Sequence, residues 1–297
     1  MMVELRNGSV RANGLRFEYL ESGEGPLVLC LHGFPDHARS FRHQLPALAQ
    51  AGYRAVAPYL RGYAPTEVPS RGSFQSAVLA KDVVALLDVL SPDEPAAVFG
   101  HDWGAVAAYG AALLAPQRLS KLVTASVPHG PQVMQAITTS YDQIRRSWYM
   151  FFFQLPMAEI AVSNDDFAFL ERLWRDWSPG WKVPPEEMAL LKETFRKPGV
   201  LEAALSYYRH TLNPALQSPE LADLQARMMM EPIAVPAVVF HGQKDECIGV
   251  ALLDGMEKLF PKGLRKIVVP GAGHFVHQEK PGIVNQALIE FLGAERP

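Results

Sequence analysis

The sequence predicts an α/β fold, in which a mostly parallel sheet is flanked by helices and carries an inserted helical cap. Three observations predict it. Apolar runs of strand length alternate with amphipathic helical segments up to about residue 130, strand patterns then cease until about residue 230, and they return after it. Strands that alternate with helices favour a parallel sheet covered on both faces. We therefore expect a core domain of residues 1–130 and 231–297 and a cap of residues 131–230.

The predicted elements follow in order. Turn signals divide residues 3–31 into strand-like segments, which indicate an antiparallel start leading to the first buried strand. Hydrophobic periodicity then predicts the rest of the core. The predicted strands are 15–20, 26–31, 53–58, 96–99, 122–127, 235–241 and 266–269, and the predicted core helices are 38–51, 74–90, 105–115 and 283–292.

Composition and charge exclude several classes of function. The chain has 297 residues, 48% of them hydrophobic, with a net charge of −3, so neither nucleic acid nor a membrane surface is an expected partner. Its two cysteines, Cys30 and Cys247, form no disulfide framework or zinc spacing, and we expect no metal or cofactor. The sequence has no signal-peptide pattern. A cytoplasmic location is expected, and assembly as a homodimer is left open.

The segment Gly100-His101-Asp102-Trp103-Gly104 joins a predicted strand to a predicted helix. Small residues two before and two after the centre are typical of a sharp strand-to-helix turn that exposes the central side chain. A plain turn is the simpler interpretation, because Asp and Gly both favour turns. An ionised aspartate at this centre can attack a saturated carbon and form an ester with the enzyme. Water must then hydrolyse that ester, which requires a base.

Two later loops supply the remaining groups of a catalytic set. Asp245 follows the strand predicted at 235–241, and His274 follows the strand predicted at 266–269. The nucleophile, the acid and the histidine then follow one another along the chain in the order typical of folds that contain this turn. His274 is the predicted base and Asp245 its orienting acid. Glu246 is adjacent and stays open as the acid.

Backbone and pocket residues complete the predicted site. The backbone N–H groups of Phe34, in the loop after the first buried strand, and of Trp103 are the predicted oxyanion donors. We expect Phe34, Trp103, Phe152 and His101 to contribute to the substrate pocket, with His101 also supporting the turn. His277 is expected at the surface.

These motifs resemble those of the α/β-hydrolase superfamily, and in particular the epoxide hydrolase family, over essentially the whole chain. The resemblance implies two cap tyrosines whose phenols protonate the epoxide oxygen. The segment that begins at Tyr149 resembles the first of them, and Tyr207-Tyr208-Arg209 resembles the second, which assigns the role to Tyr208, or to Tyr207 if the register shifts by one. Haloalkane dehalogenases share the aspartate nucleophile but use side-chain N–H donors for the halide, and Phe34 offers none.

The resemblance implies a cofactor-independent epoxide hydrolase. Asp102 would attack an apolar epoxide while Tyr149 and Tyr208 donate to its oxygen. Water, the co-substrate, would be activated by His274 and Asp245 and would release a vicinal diol. A haloalkane dehalogenase using the same aspartate is the alternative. A ligand-binding protein without catalysis is a third interpretation, against which the complete catalytic set argues.

Overall fold

The computed structural model describes residues 5–69, 72–228 and 230–294. Its described strands form one eight-stranded sheet in the order β1-β2-β4-β3-β5-β6-β7-β8. Strands β1 and β2 pair antiparallel, as do β2 and β4, and every other neighbouring pair is parallel. The predicted fold class is confirmed. The strands are β1 Arg6–Ala12, β2 Leu15–Ser22, β3 Leu27–Leu31, β4 Arg54–Pro58, β5 Ala96–His101, β6 Leu119–Ala125, β7 Ala237–Gly242 and β8 Leu264–Val269.

Helices cover both faces of the sheet. In β3 every residue is buried, because alternate side chains enter two different cores. Leu29 joins the core under α2 and α3, and Cys30 joins the core under α1 and α12. The core helices are α1 Gln44–Gln50, α2 Ser76–Leu90, α3 Trp103–Leu114, α11 Val276–Glu279 and α12 Pro281–Gly293.

The chain between β6 and β7 is helical in all its described regular elements, apart from short 3-10 turns. Its last helix packs against α2 through Leu224 and Met228, which contact Ala77 and Ala80. The chain thus returns to the core before residue 230. The division into core and cap at 131 and 230 stays a prediction. The helices are α4 Gln132–Thr139, α5 Tyr141–Arg146, α6 Trp148–Phe152, α7 Ala158–Trp177, α8 Pro185–Phe195, α9 Val200–Leu212 and α10 Ala222–Arg227.

Most predicted elements differ from the structure by one to three residues at an end, and two of the differences have a clear physical reason. The helix predicted over 38–51 is a 3-10 turn at Ala38–Phe41 followed by α1. Pro46 explains the break. A proline is tolerated in the first turn of a helix, but in a helix that began at residue 38 its ring would clash with the backbone carbonyl four residues earlier. The strand predicted over 122–127 ends at Ala125, since Ser126 has a φ of 70° and leaves the extended conformation.

The sheet brings four loops to one edge. Strands β3, β5, β7 and β8 are mutually parallel, so their carboxyl ends point the same way, and the loops that follow them carry Phe34, Asp102, Asp245 and His274. This is the edge at which open parallel sheets bind ligands. No helix among the described residues has the length and apolar character needed to cross a membrane.

Candidate active site

Asp102 occupies a strained turn between β5 and α3, with φ 53° and ψ −118°. Glycines around it allow three backbones to approach closely. A Cβ on Gly100 would lie 2.2 Å from the Gly104 carbonyl oxygen, and a Cβ on Gly104 would lie 2.0 Å from that of Leu31. A Cβ on Gly33 would lie 2.2 Å from Asp102 Oδ1. Only glycine fits these positions, and the strained residue is the one aimed at the site.

The close packing of the turn predicts a stability effect. We expect Gly104→Ala to lower the free energy of unfolding by about 3 kcal/mol, because the Leu31 carbonyl cannot move without disturbing β3. Gly293→Ala is the matched control, since no atom lies within 4 Å of a Cβ there. Urea unfolding of both variants is the measurement. A loss of stability no larger for Gly104→Ala than for the control would contradict the steric account.

The Asp102 carboxylate contacts one predicted oxyanion donor, Phe34, and the other, Trp103, is the next residue in the chain. The side chain is buried, and its Oδ1 accepts a hydrogen bond from the backbone N–H of Phe34 at 2.7 Å. Trp103 is the first residue of α3, so its N–H belongs to the turn whose amides have no partner within the helix. The predicted donors and the predicted nucleophile therefore lie together.

His274 lies between two carboxylates. Its Nδ1 is 2.9 Å from Asp245 Oδ2, and its Nε2 is 3.6 Å from Asp102 Oδ2. Burial alone would lower the pKa of His274, but the carboxylates of Asp245 and Asp102 on its two ring nitrogens hold this pKa well above its ordinary value. Burial would raise the pKa of Asp245, yet His274 and His241 hold it below its ordinary value. Glu246 pairs instead with Arg146, at 3.3 Å.

Tyr149 and Tyr208 face one another, with ring centroids 5.5 Å apart and planes at 87°. Among the described residues Tyr208 Oη has no hydrogen-bond partner, whereas Tyr149 Oη lies 3.3 Å from Cys247 Sγ. Burial raises the pKa of both phenols well above the ordinary value, so both keep their protons at neutral pH. Tyr207 turns away and donates its hydroxyl to the Arg61 carbonyl at 2.7 Å. The geometry thus favours Tyr208 over Tyr207.

A cavity of about 250 Å³ is lined by the predicted nucleophile and both cap tyrosines, whereas His274 and Asp245 lie outside its lining. Asp102, Trp103, Tyr149 and Tyr208 line it, and no lysine or arginine does so among the described residues. Such a surface suits a neutral, mainly apolar ligand. The apolar side chains of its wall are Val106, Val127, Pro128, Val133, Met134, Met150, Met228 and Ile248.

Three of the four predicted pocket residues do not line this cavity. Phe152 stacks instead on Phe169 at 5.9 Å, because only one face of the short helix α6 can meet the cavity, and Tyr149 and Met150 occupy it. The ring of Phe34 packs edge-on against Tyr208 outside the cavity. Phe34 contacts the site through its backbone N–H, which donates to Asp102.

Two histidines support the site from behind. His101 Nε2 lies 3.0 Å from the His274 carbonyl oxygen, in agreement with a supporting role but not with a place in the cavity. The surface prediction for His277 is wrong, because its ring is fully buried and its Nε2 lies 2.7 Å from Ser40 Oγ. That hydroxyl also donates to Asp36, at 2.7 Å. The polar residues around His277 therefore belong to a buried hydrogen-bond network and not to a solvent-exposed surface.

Two buried groups contain side chains of metal-ligand type. In each, the candidate ligand atoms lie within 4.8 Å of one another. Asp36, in the first, already accepts hydrogen bonds from several neighbours, and Asp245 and His274, in the second, are bonded to each other. These carboxylates already have hydrogen-bond partners within the protein. The groups are Asp36, His101 and His277, and Asp245, Cys247 and His274.

Known proteins resemble this chain in sequence and in fold. The family model for the alpha/beta hydrolase fold matches residues 26–281. The chain is 31% identical to epoxide hydrolase A of Mycobacterium tuberculosis and 33% identical to the AB hydrolase superfamily protein YfhM of Bacillus subtilis, and each match covers 95% of this chain and 96% of the relative. The crystal structure of an epoxide hydrolase from Bacillus megaterium in complex with an inhibitor matches 97% of this chain and 100% of its own, with 28% identity and a TM-score of 0.85.

Proposed function

The chain belongs to the epoxide hydrolase family of the α/β-hydrolase fold, and from this we propose that it converts an epoxide into a vicinal diol through a covalent ester on Asp102. The observation that carries the proposal is the shared cavity, in which the Asp102 carboxylate and the phenols of Tyr149 and Tyr208 meet. Opening an epoxide requires a nucleophile at carbon and an acid at oxygen, and this cavity offers both.

In the first step Asp102 attacks one oxirane carbon. The C–O bond breaks, and its electron pair goes to the oxygen, which receives a proton from a phenol. An alkoxide is a poor leaving group unless it is protonated as it forms. The raised phenol pKa values keep both tyrosines protonated and thus able to donate. The product of this step is a hydroxyalkyl ester of Asp102.

In the second step water attacks the ester carbonyl. Esterification removes the negative charge of Asp102, which helps to hold the pKa of His274 above its ordinary value. The pKa of His274 therefore falls when the ester forms, so the ring gives up its proton, which restores the phenolate to a phenol, and the neutral ring can then accept a proton from water. Asp245 stabilises the resulting imidazolium. The Phe34 and Trp103 amides stabilise the tetrahedral oxyanion. Its collapse breaks the bond between the Asp102 carboxyl carbon and the substrate oxygen, the leaving alkoxide takes the imidazolium proton and departs as the diol, and the new Asp102 carboxylic acid returns its proton to His274.

The walls of the cavity favour a neutral, compact and apolar epoxide. Among the residues that the structure describes, Asp102 is the one carboxylate that lines the cavity, and no lysine or arginine lines it to bind an anionic substrate. Methionines and aliphatic residues form much of the surface, which favours an apolar substituent on the ring.

Replacing the phenols tests the assignment against haloalkane dehalogenation. We expect Tyr149→Phe and Tyr208→Phe each to slow ring opening of styrene oxide by about 10- to 100-fold, since each removes an acid from the reacting oxygen. The double variant should lose more than either single variant. Diol formation after rapid mixing is the measurement. Phe151→Leu, on an exposed residue of the same helix, is the control.

Release of a halide needs no proton, so the outcome separates the two reactions. If bromide release from 1-bromobutane exceeded diol formation and survived both tyrosine substitutions, the dehalogenase assignment would replace this one. If the tyrosine variants retained full epoxide turnover, the cavity would still bind epoxides but the phenols would not be its acids.

A further inference from the structure

Cys247 lies behind the phenol of Tyr149, two residues after Asp245. Its side chain is fully buried, and its Sγ is 3.3 Å from Tyr149 Oη. The thiol also lies within 4.8 Å of ligand atoms of Asp245 and His274. The catalytic steps above give this thiol no role. A polar hydrogen so close to a proton donor influences where that donor's own proton points.

The loop that carries Cys247 is bound to the cap by Gln143 of α5. The amide nitrogen of Gln143 donates to the Cys247 carbonyl oxygen at 2.8 Å and to Ser147 Oγ at 2.9 Å, and its amide oxygen accepts the N–H of Gly249 at 3.0 Å. Ser147 directly precedes α6, the helix of Tyr149. Because Gln143 is buried, these bonds fix the thiol and the phenol relative to one another.

Both groups are neutral at physiological pH. Burial raises the pKa of the Cys247 thiol and the pKa of the Tyr149 phenol. The thiol and the phenol then carry one proton each, and the hydrogen bond between Sγ and Oη uses only one of these protons. If the phenol donated to sulfur, its proton would point away from the cavity. If the S–H donates to Oη, the phenol proton is free for a ligand.

We propose that Cys247 is a positioning residue that donates its S–H to Tyr149 and so directs the phenol O–H into the cavity. The proposal rests on the proposed epoxide hydrolysis. During ring opening the phenol proton passes to the epoxide oxygen as the C–O bond breaks. The phenolate that remains keeps the S–H hydrogen bond, which becomes charge-assisted. The thiol transfers no proton to the substrate.

The S–H stretching band in the Raman spectrum tests the contact without any turnover. The chain has one other cysteine, Cys30 in β3, and replacing it by serine leaves Cys247 as the source of the S–H band. An S–H group that donates a hydrogen bond gives a Raman band at a lower wavenumber than an S–H group without an acceptor. We expect Tyr149→Phe to raise the wavenumber of this band, since it removes the acceptor. An unchanged band would overturn the proposal.

A double-mutant cycle tests the consequence for catalysis. We expect Cys247→Ala to slow ring opening about fivefold in the presence of Tyr149 and to have no effect in a Tyr149→Phe background. Cys247→Ser should restore the rate of ring opening. An equal loss in both backgrounds, or failure of serine to rescue, would overturn the proposal. If the unsubstituted protein did not turn over epoxides, the proposed function would fail while the Raman result still judged the contact.

Discussion

Replacing Asp102 by asparagine is expected to lower kcat for epoxide hydrolysis by about 10⁴-fold or more, because a neutral amide is a far weaker nucleophile than a carboxylate. Asparagine has nearly the same shape, and its amide oxygen can still accept the N–H of Phe34. The loss should therefore appear in kcat and not in folding. Initial rates of diol formation measure it, with thermal unfolding as the check on structure.

Asp223→Asn is the matched control, since the Asp223 side chain is 86% exposed and lies in α10. Loss of turnover together with retained binding distinguishes an enzyme from a ligand-binding protein of the same fold. The Asp102→Asn variant should still bind an epoxide in the cavity, because the apolar wall is unchanged. Retention of more than about one hundredth of the activity would contradict nucleophilic catalysis by this residue.

Replacing His274 by glutamine should divide the reaction into its two steps. Asp102 and the phenols remain, so the ring opens, but water has no base and the ester persists. We expect kcat to fall about 10³-fold and the protein to gain the full mass of the epoxide. Intact-protein mass spectrometry after a brief incubation measures the adduct. His43→Gln, at a half-buried position before α1, is the control and should form no lasting adduct.

Two outcomes would contradict this assignment of His274. A variant that lost activity and formed no adduct would place His274 in ring opening. A variant that retained normal turnover would move the base to another residue. The adduct should map to the peptide that contains Asp102, the residue on which the ester forms.

The fold and the catalytic set could be predicted because they depend on local patterns. Apolar runs indicate β5, β7 and β8, and short turn motifs follow them. Parallel strands bring those turns to one edge whatever the details of packing. Asp102, Asp245 and His274 could thus be placed together from sequence before any contact was known, and the structure places them within hydrogen-bonding range or close to it.

Other residues depend on packing that no pattern specifies. Phe152 and Tyr149 lie on one short helix, and which of them meets the cavity depends on how α6 docks. His277 looks polar and exposed in sequence, but Ser40, far away in the chain, hydrogen-bonds it in the interior. Gln143 carries no sequence signal, since its partners belong to a loop about a hundred residues later. Such long-range contacts explain why the support of the site was missed.

A single turnover in water labelled with oxygen-18, with enzyme in excess over styrene oxide, tests whether Asp102 forms a covalent ester. If Asp102 forms the ester and water attacks its carbonyl, one labelled oxygen enters the Asp102 carboxylate and the first diol carries an unlabelled oxygen from the enzyme. Mass spectrometry of the peptide and of the diol measures both. A labelled diol together with an unlabelled Asp102 peptide would mean that water attacks the epoxide directly, and it would contradict the covalent mechanism.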